Sequence, residues 1–145
     1  MKMIKNLQYG LFCLVIILIL CYSCEDLLTE LVNNDPRSAI AGLWLCDESD
    51  DYLKAVNETY YVEIDLHPTD SSRVLISNFF NVDDDAQAVL SGDLLTLPVQ
   101  TLQGGFTVRG SGLITKKGNQ IDWTYHVDDG SGIEYKITAV YTKQE

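Results

Sequence analysis

Apolar and polar side chains alternate in two runs near the end of the chain, over residues 121–127 and 133–141. Every second residue is apolar, in the order Ile121, Trp123, Tyr125, Val127, Ile133, Tyr135, Ile137, Ala139 and Tyr141. A repeat of two is the period of a β-strand, since successive side chains point to opposite faces of a sheet. Residues 128–132, Asp-Asp-Gly-Ser-Gly, divide the pattern into two runs. The pattern therefore predicts a hairpin with one buried and one solvent-facing side.

Shorter runs of the same kind extend back to residue 39. We predict strands over residues 39–46, 59–66, 73–80, 86–91, 94–99, 106–115, 121–127 and 133–141. The connections are a polar loop at 47–56 and short turns rich in Gly, Asp and Pro, including the hairpin signal Gly92-Asp93. No stretch after Ser38 has a helical period. We expect an all-β domain of about eight antiparallel strands in a meander, closed into a small barrel because closure removes exposed edges. An open β-sandwich is the alternative.

Gly42-Leu43-Trp44 lies in the first predicted strand. It resembles the Gly-x-Trp signature of lipocalins, in which the Trp plugs one end of an eight-stranded barrel. The resemblance implies a lipocalin-like barrel with Trp44 in that position. In that family an Arg of the last strand covers the Trp; here Lys136 is the nearest cation that we assign to that strand. The Thr-Asp-x-x-Tyr signature of the family is absent from the sequence.

The first 23 residues have the organisation of an export signal. Lys2 and Lys5 give a positive start, and an apolar stretch follows over residues 11–20. Its length of about ten residues fits the core of a signal peptide, whereas a membrane-spanning helix needs about 20. Glu25 and Asp26 follow too closely for a comfortable span.

The segment Leu20-Cys21-Tyr22-Ser23-Cys24 resembles a lipobox, in which a small residue precedes a cysteine that becomes acylated. The resemblance implies that residues 1–23 are removed and that Cys24 becomes the lipid-bearing first residue. Cys21 fits less well because bulky Leu20 precedes it. An ordinary cleaved signal and an uncleaved anchor are the alternatives. We divide the chain into the signal peptide 1–23, a tether 24–37 and a β-domain 38–145.

The charge of the chain limits its partners. The net charge is −11, and removing the two lysines of the signal brings the mature chain near −13. Binding to nucleic acid or to anionic lipid requires basic patches, so this charge argues against both. We therefore expect the membrane to hold the protein through its lipid anchor.

Few residues carry reactive chemistry. Once the signal is removed and Cys24 acylated, Cys46 is the remaining thiol, and we expect it to be a small buried apolar residue. His67 and His126 lie in no metal-binding or catalytic spacing, and we expect both to face solvent. Serine occurs without a Gly-x-Ser-x-Gly motif. Gly110-Ser111-Gly112 lies within a strand, where small residues allow a bend or close packing.

Three acidic clusters lack the ligand spacing of a calcium loop and are predicted to be solvated turns. They are residues 47–51, 83–85 and 128–130. Most of the aromatic side chains are predicted to fill the core. Tyr61 and Phe79 are expected on the opposite face of their strands, where a ring could contact a glycan or a protein. We expect no metal and no cofactor.

The mature region also resembles small lipoproteins of Bacteroidetes-type bacteria, through residues 76–81, 110–112, 123–130 and 139–143. In those proteins acidic residues after the lipidated cysteine accompany surface display, as Glu25-Asp26 would here. The resemblance implies an outer-membrane or surface location and no particular activity. We expect a non-enzymatic module that binds a small apolar ligand or a glycan. The alternative is a structural or accessory subunit of an envelope complex, which a barrel filled by its own side chains would favour.

Overall fold

A computed structural model of the chain describes residues 35–50 and 58–145, without the side chains at positions 50 and 58. The predicted signal peptide, Cys24, most of the predicted tether and Tyr52 lie outside these residues. Within the described part of the chain, no helix is long and apolar enough to cross a bilayer.

Eight antiparallel strands form a closed barrel in which each strand pairs with its neighbours in sequence. The strands are β1 (Gly42–Asp50), β2 (Glu58–Leu66), β3 (Arg73–Ser77), β4 (Ala86–Ser91), β5 (Leu94–Thr101), β6 (Thr107–Thr115), β7 (Gln120–Asp128) and β8 (Glu134–Lys143). Pairing of β1 with β8, from Trp44 opposite Lys143 to Asp50 opposite Ile137, closes the sheet. The predicted meander barrel is confirmed, and the alternative of an open sandwich is wrong.

Two predicted strand ends are wrong for opposite reasons. β1 continues through the acidic run to Asp50, where we predicted a loop from Asp47. In that run successive side chains point to opposite faces of the sheet. Because all of these residues are polar, the sequence shows no alternation of apolar and polar residues that would reveal the strand. β3 ends at Ser77, although the apolar sequence continues to Phe80. Asn78 has φ 57°, which takes the backbone out of the extended conformation.

The inward-facing side chains of the strands form one core. The largest fully buried ones are Trp44, Trp123, Tyr125, Tyr141, Phe79, Ile40, Ile64, Ile76, Leu95, Leu97, Ile121 and Val62. Gly110 and Gly112 lie opposite Tyr125 and Trp123 across the β6–β7 pair. A Cβ atom at Gly112 would lie 2.7 Å from Cδ2 of Trp123, and one at Gly110 would overlap the backbone of Tyr125. The expected close packing at this Gly-Ser-Gly segment is confirmed.

One end of the barrel, here called the closed end, is where β1 begins and β8 finishes. A 3-10 turn at Pro36–Ala39 covers it. Arg37 in this turn is buried, and its Nη1 donates hydrogen bonds to the carbonyl oxygens of His67, Asp70 and Arg73, at 3.2, 2.8 and 2.8 Å. These contacts join the turn to the β2–β3 connection. The predicted domain boundary at Ser38 falls within this turn.

Trp44 packs directly above the turn, and its Nε1 donates to the carbonyl of Ile40 at 2.9 Å. Nζ of Lys143 lies 5.7 Å from the centre of the Trp44 ring and donates to the carbonyl of Ala39 at 2.7 Å. Lys143 therefore covers Trp44, and the expectation that Lys136 is the nearest cation is wrong. The reason is register, since Lys143 is the cross-strand partner of Trp44, whereas Lys136 lies opposite His126.

Candidate functional site

The interior of the barrel near its other end, here called the open end, is where a small ligand would be expected. Residues 78–85 connect β3 to β4 at this end and insert Phe79 into the barrel. The Phe79 ring is fully buried, with its centre 4.9 Å from that of Tyr125 and 5.9 Å from that of Trp123. The expectation that Phe79 lies on an outer face is wrong, because the strand ends before it. Tyr61 is on the outer face as expected, with 55% of its surface exposed.

The loop that carries Phe79 has an unusual backbone. Four of its residues other than glycine have positive φ, namely Asn78, Phe80, Asn81 and Asp83. The Asn78 side chain stabilises this conformation, as its Nδ2 donates to the carbonyl of Tyr61 at 2.9 Å and its Oδ1 accepts from the amide of Asp83 at 3.0 Å. A bulky residue such as Phe80 rarely adopts φ 57°, so the loop has a conformation that the rest of the fold must support.

The side chains that face the interior leave little room for a ligand. A side chain lining a void as large as a water molecule retains accessible surface, since a solvent-sized sphere can touch it. Val108, Tyr125 and Tyr141 each have 0% exposure, and Val127 and Ile137 have 2% and 3%. These residues lie on β6, β7 and β8, at positions distributed from one end of the barrel to the other. In the described part of the chain, these interior side chains therefore border no space large enough for a water molecule.

A polar cluster with a half-buried carboxylate lies among these interior side chains. Glu48 on β1 points inward, and its Oε2 accepts hydrogen bonds from the hydroxyls of Tyr60 on β2 and Tyr125 on β7, the latter at 2.6 Å. Ala139 on β8 is the cross-strand partner of Glu48, and its small side chain leaves room for Tyr125 to reach across. The expectation that the whole cluster 47–51 is solvated is wrong for Glu48. This carboxylate joins three strands across the barrel.

The tyrosines of this cluster are held in the protonated state. Burial raises the pKa of Tyr60 and of Tyr125 well above the usual value, since a phenolate would lose its hydration. The nearby Glu48 carboxylate raises both pKa values further, because the two negative charges would repel each other. The two phenols therefore act as hydrogen-bond donors to the carboxylate.

Cys46 lies between Tyr60 and Tyr141 in cross-strand register and is fully buried. Burial raises the pKa of its thiol from 9.0 to about 12. The thiolate is the nucleophilic form of cysteine, so a thiol with this pKa is unreactive at neutral pH. The prediction that Cys46 is a buried apolar residue is confirmed.

Among residues 35–50 and 58–145, two buried polar atoms lack a hydrogen-bond partner, the indole Nε1 of Trp123 and the hydroxyl of Tyr141. Burial raises the pKa of Tyr141, and the Cys46 thiol beside it contributes to the same shift. An unpaired buried donor costs about 1–3 kcal/mol of folding free energy. The tight ring packing of Trp123 against Phe79 and Tyr141 offsets that cost.

The histidines occupy structural positions. Nδ1 of His67 accepts from the backbone amides of Thr69 and Asp70 at 3.3 and 3.1 Å, which orders the turn after β2. His126 is half-buried on β7 opposite Lys136, at a position that we predicted to be solvent-facing. Among the described residues, no three His, Cys, Asp or Glu side chains converge as metal ligands.

The acidic turns hold loop backbone in place. Asp84 accepts from the amide of Gln103 at 2.7 Å, which links two loops of the open end. Asp128 accepts from the amides of Gly130 and Gly132. At these turns the acidic side chains accept hydrogen bonds from backbone amides that would otherwise donate to water.

Comparison of the chain with models of protein families and with curated proteins found no match. The functional argument therefore rests on the residues themselves. Sequence reasoning did not identify Glu48 as an inward-facing residue or Lys143 as the residue that covers Trp44, and it placed Phe79 on the wrong face. The alternation of Trp44, Cys46 and Glu48 along β1 could have identified Glu48 as inward-facing, since all three share one face.

Proposed function

We propose that this protein is a lipid-anchored, non-enzymatic protein of the cell envelope that serves as an accessory or structural subunit. It contacts another envelope macromolecule through its outer surface and open-end loops. The observation that carries this proposal is the filled interior: Phe79, Tyr125 and Trp123 occupy the space where a barrel that carries a small apolar molecule would be hollow. A packed interior favours the accessory function over transport or storage of a small ligand.

The chemistry of the described side chains also supports a non-enzymatic function. Cys46 is a buried thiol whose pKa of about 12 keeps it protonated. Glu48 points into the barrel and is half-buried, and its Oε2 already accepts hydrogen bonds from two phenols. These bonds occupy the oxygen that a catalytic base would use to take a proton from a substrate.

The lipid anchor is tested on the protein produced in a bacterial host with its own signal. We expect the mature chain to begin at Cys24, to carry acyl chains in its mass spectrum and to sediment with membranes. Because several acyl chains give effectively permanent attachment, the Cys24→Ala variant should leave the membrane fraction. Unchanged membrane association of Cys24→Ala would contradict the anchor.

The absence of an interior ligand is tested with 1-N-phenylnaphthylamine, a fluorescent apolar probe. We expect no saturable binding to the wild-type protein. The Phe79→Ala variant, which removes a ring from the core, serves as the control for an apolar cavity: benzene, which matches the lost ring in size, should raise its melting temperature and leave that of the wild type unchanged. Stoichiometric binding of the probe to the wild-type barrel would restore the small-ligand hypothesis and overturn the accessory function.

A further inference from the structure

Four exposed side chains lie together at the closed end, on the turns that join β4 to β5 and β6 to β7. Leu94 and Leu113 are cross-strand partners on the outer face, with 44% and 51% of their surface exposed. Lys116 and Lys117 form the turn after β6 and are exposed. The amide of Ile114 donates to the carbonyl of Asp93 at 2.8 Å, which holds the two turns side by side. We call these four side chains the rim patch.

The chain enters the barrel next to the rim patch. The amide of Lys143 donates to the carbonyl of Asn119 at 3.1 Å, which joins the end of β8 to the turn that carries the lysines. The ammonium group of Lys143 donates to Ala39, in the 3-10 turn where the fold begins. Any tether that precedes Pro36 therefore approaches the barrel at the end that carries the rim patch.

The backbone of the turn does not explain why lysines occupy it. Lys116 and Lys117 have φ 47° and 57°, a left-handed backbone conformation that Gly or Asn adopts at a lower free-energy cost than lysine. Both side chains are exposed to solvent, and uncharged residues could form the same turn. The two ammonium groups therefore suggest an interaction outside the barrel.

The loops at the two ends differ in charge. The open-end loops 78–85, 102–106 and 129–133 contain Asp83, Asp84, Asp85 and Asp129 and no lysine or arginine, and residues 51–57, which join β1 to β2, contain Asp51 and Lys54. At the closed end, Lys116 and Lys117 are offset by Asp93 and by Asp122, the cross-strand partner of Leu113, and Arg73 pairs with Asp70 at 3.0 Å. A negatively charged surface repels the open-end loops far more strongly than the closed end.

We propose that the rim patch lies on the phosphate headgroups of the membrane that anchors the chain, so that the open end points away from the bilayer. This orientation rests on the proposed lipid anchor at Cys24. The lysine ammonium groups would interact with headgroup phosphates, and the two leucines would enter the interfacial layer. The open-end loops, with their acidic side chains, are then presented to partners.

The anchor and the rim patch have separate effects. Eleven residues lie between Cys24 and Pro36, and the chain from one to the other spans at most about 40 Å. That length keeps the domain near the membrane but lets either end approach it. The net charge near −13 opposes adsorption from solution, so the patch acts only because the anchor raises the local concentration. The two lysines favour the rim-down orientation, and the neighbouring Asp93 and Asp122 reduce that preference.

The orientation is tested with the mature acylated protein in vesicles of phosphatidylethanolamine and phosphatidylglycerol that contain a headgroup spin label. A fluorophore is attached to Asn119→Cys at the closed end or to Gln103→Cys at the open end. The native thiols do not interfere, since Cys46 is buried with a pKa of about 12 and Cys24 is acylated. We expect the spin label to quench the fluorophore at position 119 strongly and the one at position 103 weakly.

Charge reversal then tests the patch itself. In the Lys116→Glu/Lys117→Glu variant the difference in quenching between the two positions should disappear, and Leu94→Ser/Leu113→Ser should reduce it. Lys136→Glu, a matched reversal on β8 away from the rim, should leave the difference unchanged. Circular dichroism melting of each variant verifies that the barrel is intact.

The outcomes separate the two proposals. A mature mass without acyl chains would overturn the proposed anchor, and with it the orientation. Acylated protein with equal quenching at positions 119 and 103 would overturn the orientation and leave the anchor standing. A quenching difference that survives Lys116→Glu/Lys117→Glu would show that the rim patch does not produce it.

Discussion

The two ends of this barrel are closed by different means. At the closed end, Arg37 and Lys143 donate hydrogen bonds to backbone carbonyls, and Trp44 packs between them and the core. At the open end, Phe79 enters the barrel from a loop with four left-handed residues, and Phe80 packs against Phe106 beside it. The first closure combines apolar burial with cationic donors, whereas the described part of the second combines ring packing with hydrogen bonds from neutral amides, those of Asn78 and Gln103.

This difference indicates which end is able to change. Hydrogen bonds from cations to several carbonyls fix both the position and the direction of a chain segment, since each donor must keep its geometry. Ring packing tolerates small movements, and left-handed residues favour a loop that can adopt another conformation. We expect the closed end to be the more stable half and the open end to exchange its amide hydrogens faster.

The largest effect is expected from loss of the closed-end plug. Trp44→Ala removes a fully buried indole and its hydrogen bond to Ile40, and should lower the free energy of unfolding by about 5 kcal/mol. Urea denaturation followed by fluorescence measures this change. A loss below that of the corresponding open-end variant would show that the closed end is not the more stable half.

The matching change at the open end is Phe79→Ala. It removes one buried ring without breaking a side-chain hydrogen bond, and we expect a loss of about 3 kcal/mol in urea denaturation. Tyr61→Ala, an exposed ring on β2, is the control and should change stability little. Equal losses for the Phe79 and Tyr61 variants would show that Phe79 is not a plug.

Arg37 tests the polar part of the closed end. Arg37→Ala removes the side-chain donor to three carbonyl oxygens, of which those of Asp70 and Arg73 keep a backbone amide donor, and should cost about 2 kcal/mol. Arg37→Lys keeps the charge, but its ammonium group lies on a shorter side chain without the planar guanidinium, so it should recover only part of the loss. Full recovery by lysine would mean that charge, and not the shape of the guanidinium, holds the turn.

Glu48 tests the polar part of the open half. Glu48→Gln replaces a charged acceptor of two phenol hydrogen bonds by a neutral one, and should cost about 1.5 kcal/mol. Tyr125→Phe removes one of the two donors and is the comparison. In a double-mutant cycle the two losses should be less than additive, because both variants affect the same hydrogen bond. Additive losses would contradict this pairing.

The smallest effect concerns Cys46 at alkaline pH. Burial raises the pKa of the folded-state thiol from 9.0 to about 12, so the folded protein holds this proton more tightly than the unfolded chain. The resulting stability is complete below pH 9 and declines as pH rises toward 12. We expect the free energy of unfolding to fall by about 1 kcal/mol between pH 9 and pH 10 through this group.

Cys46→Ala should flatten that decline while leaving the contribution of the buried tyrosines above pH 10. Urea denaturation of both proteins at several pH values measures the slopes. Identical slopes for the two proteins would mean that the thiol does not titrate differently in the folded and unfolded states.

Sequence patterning was sufficient for most of the barrel. β4 was predicted with its observed ends, and the alternation around Trp123 and Tyr141 identified the last hairpin. It failed where local pattern and tertiary environment disagree. Glu48 is a charged residue in an acidic run, and only the hydroxyls of Tyr60 and Tyr125, 12 and 77 positions away, make its inward position tolerable. Phe79 continues an apolar run, and only the left-handed Asn78 turns it into the core.

By itself, the sequence determined the strand period, the turns and the meander, because each depends on neighbours a few residues apart. It also predicts the export signal and the acylated Cys24. The tertiary structure decided which cation covers Trp44, since closure of the barrel places Lys143 opposite it. It also decided that the interior is filled, because packing depends on side chains from all eight strands meeting at once.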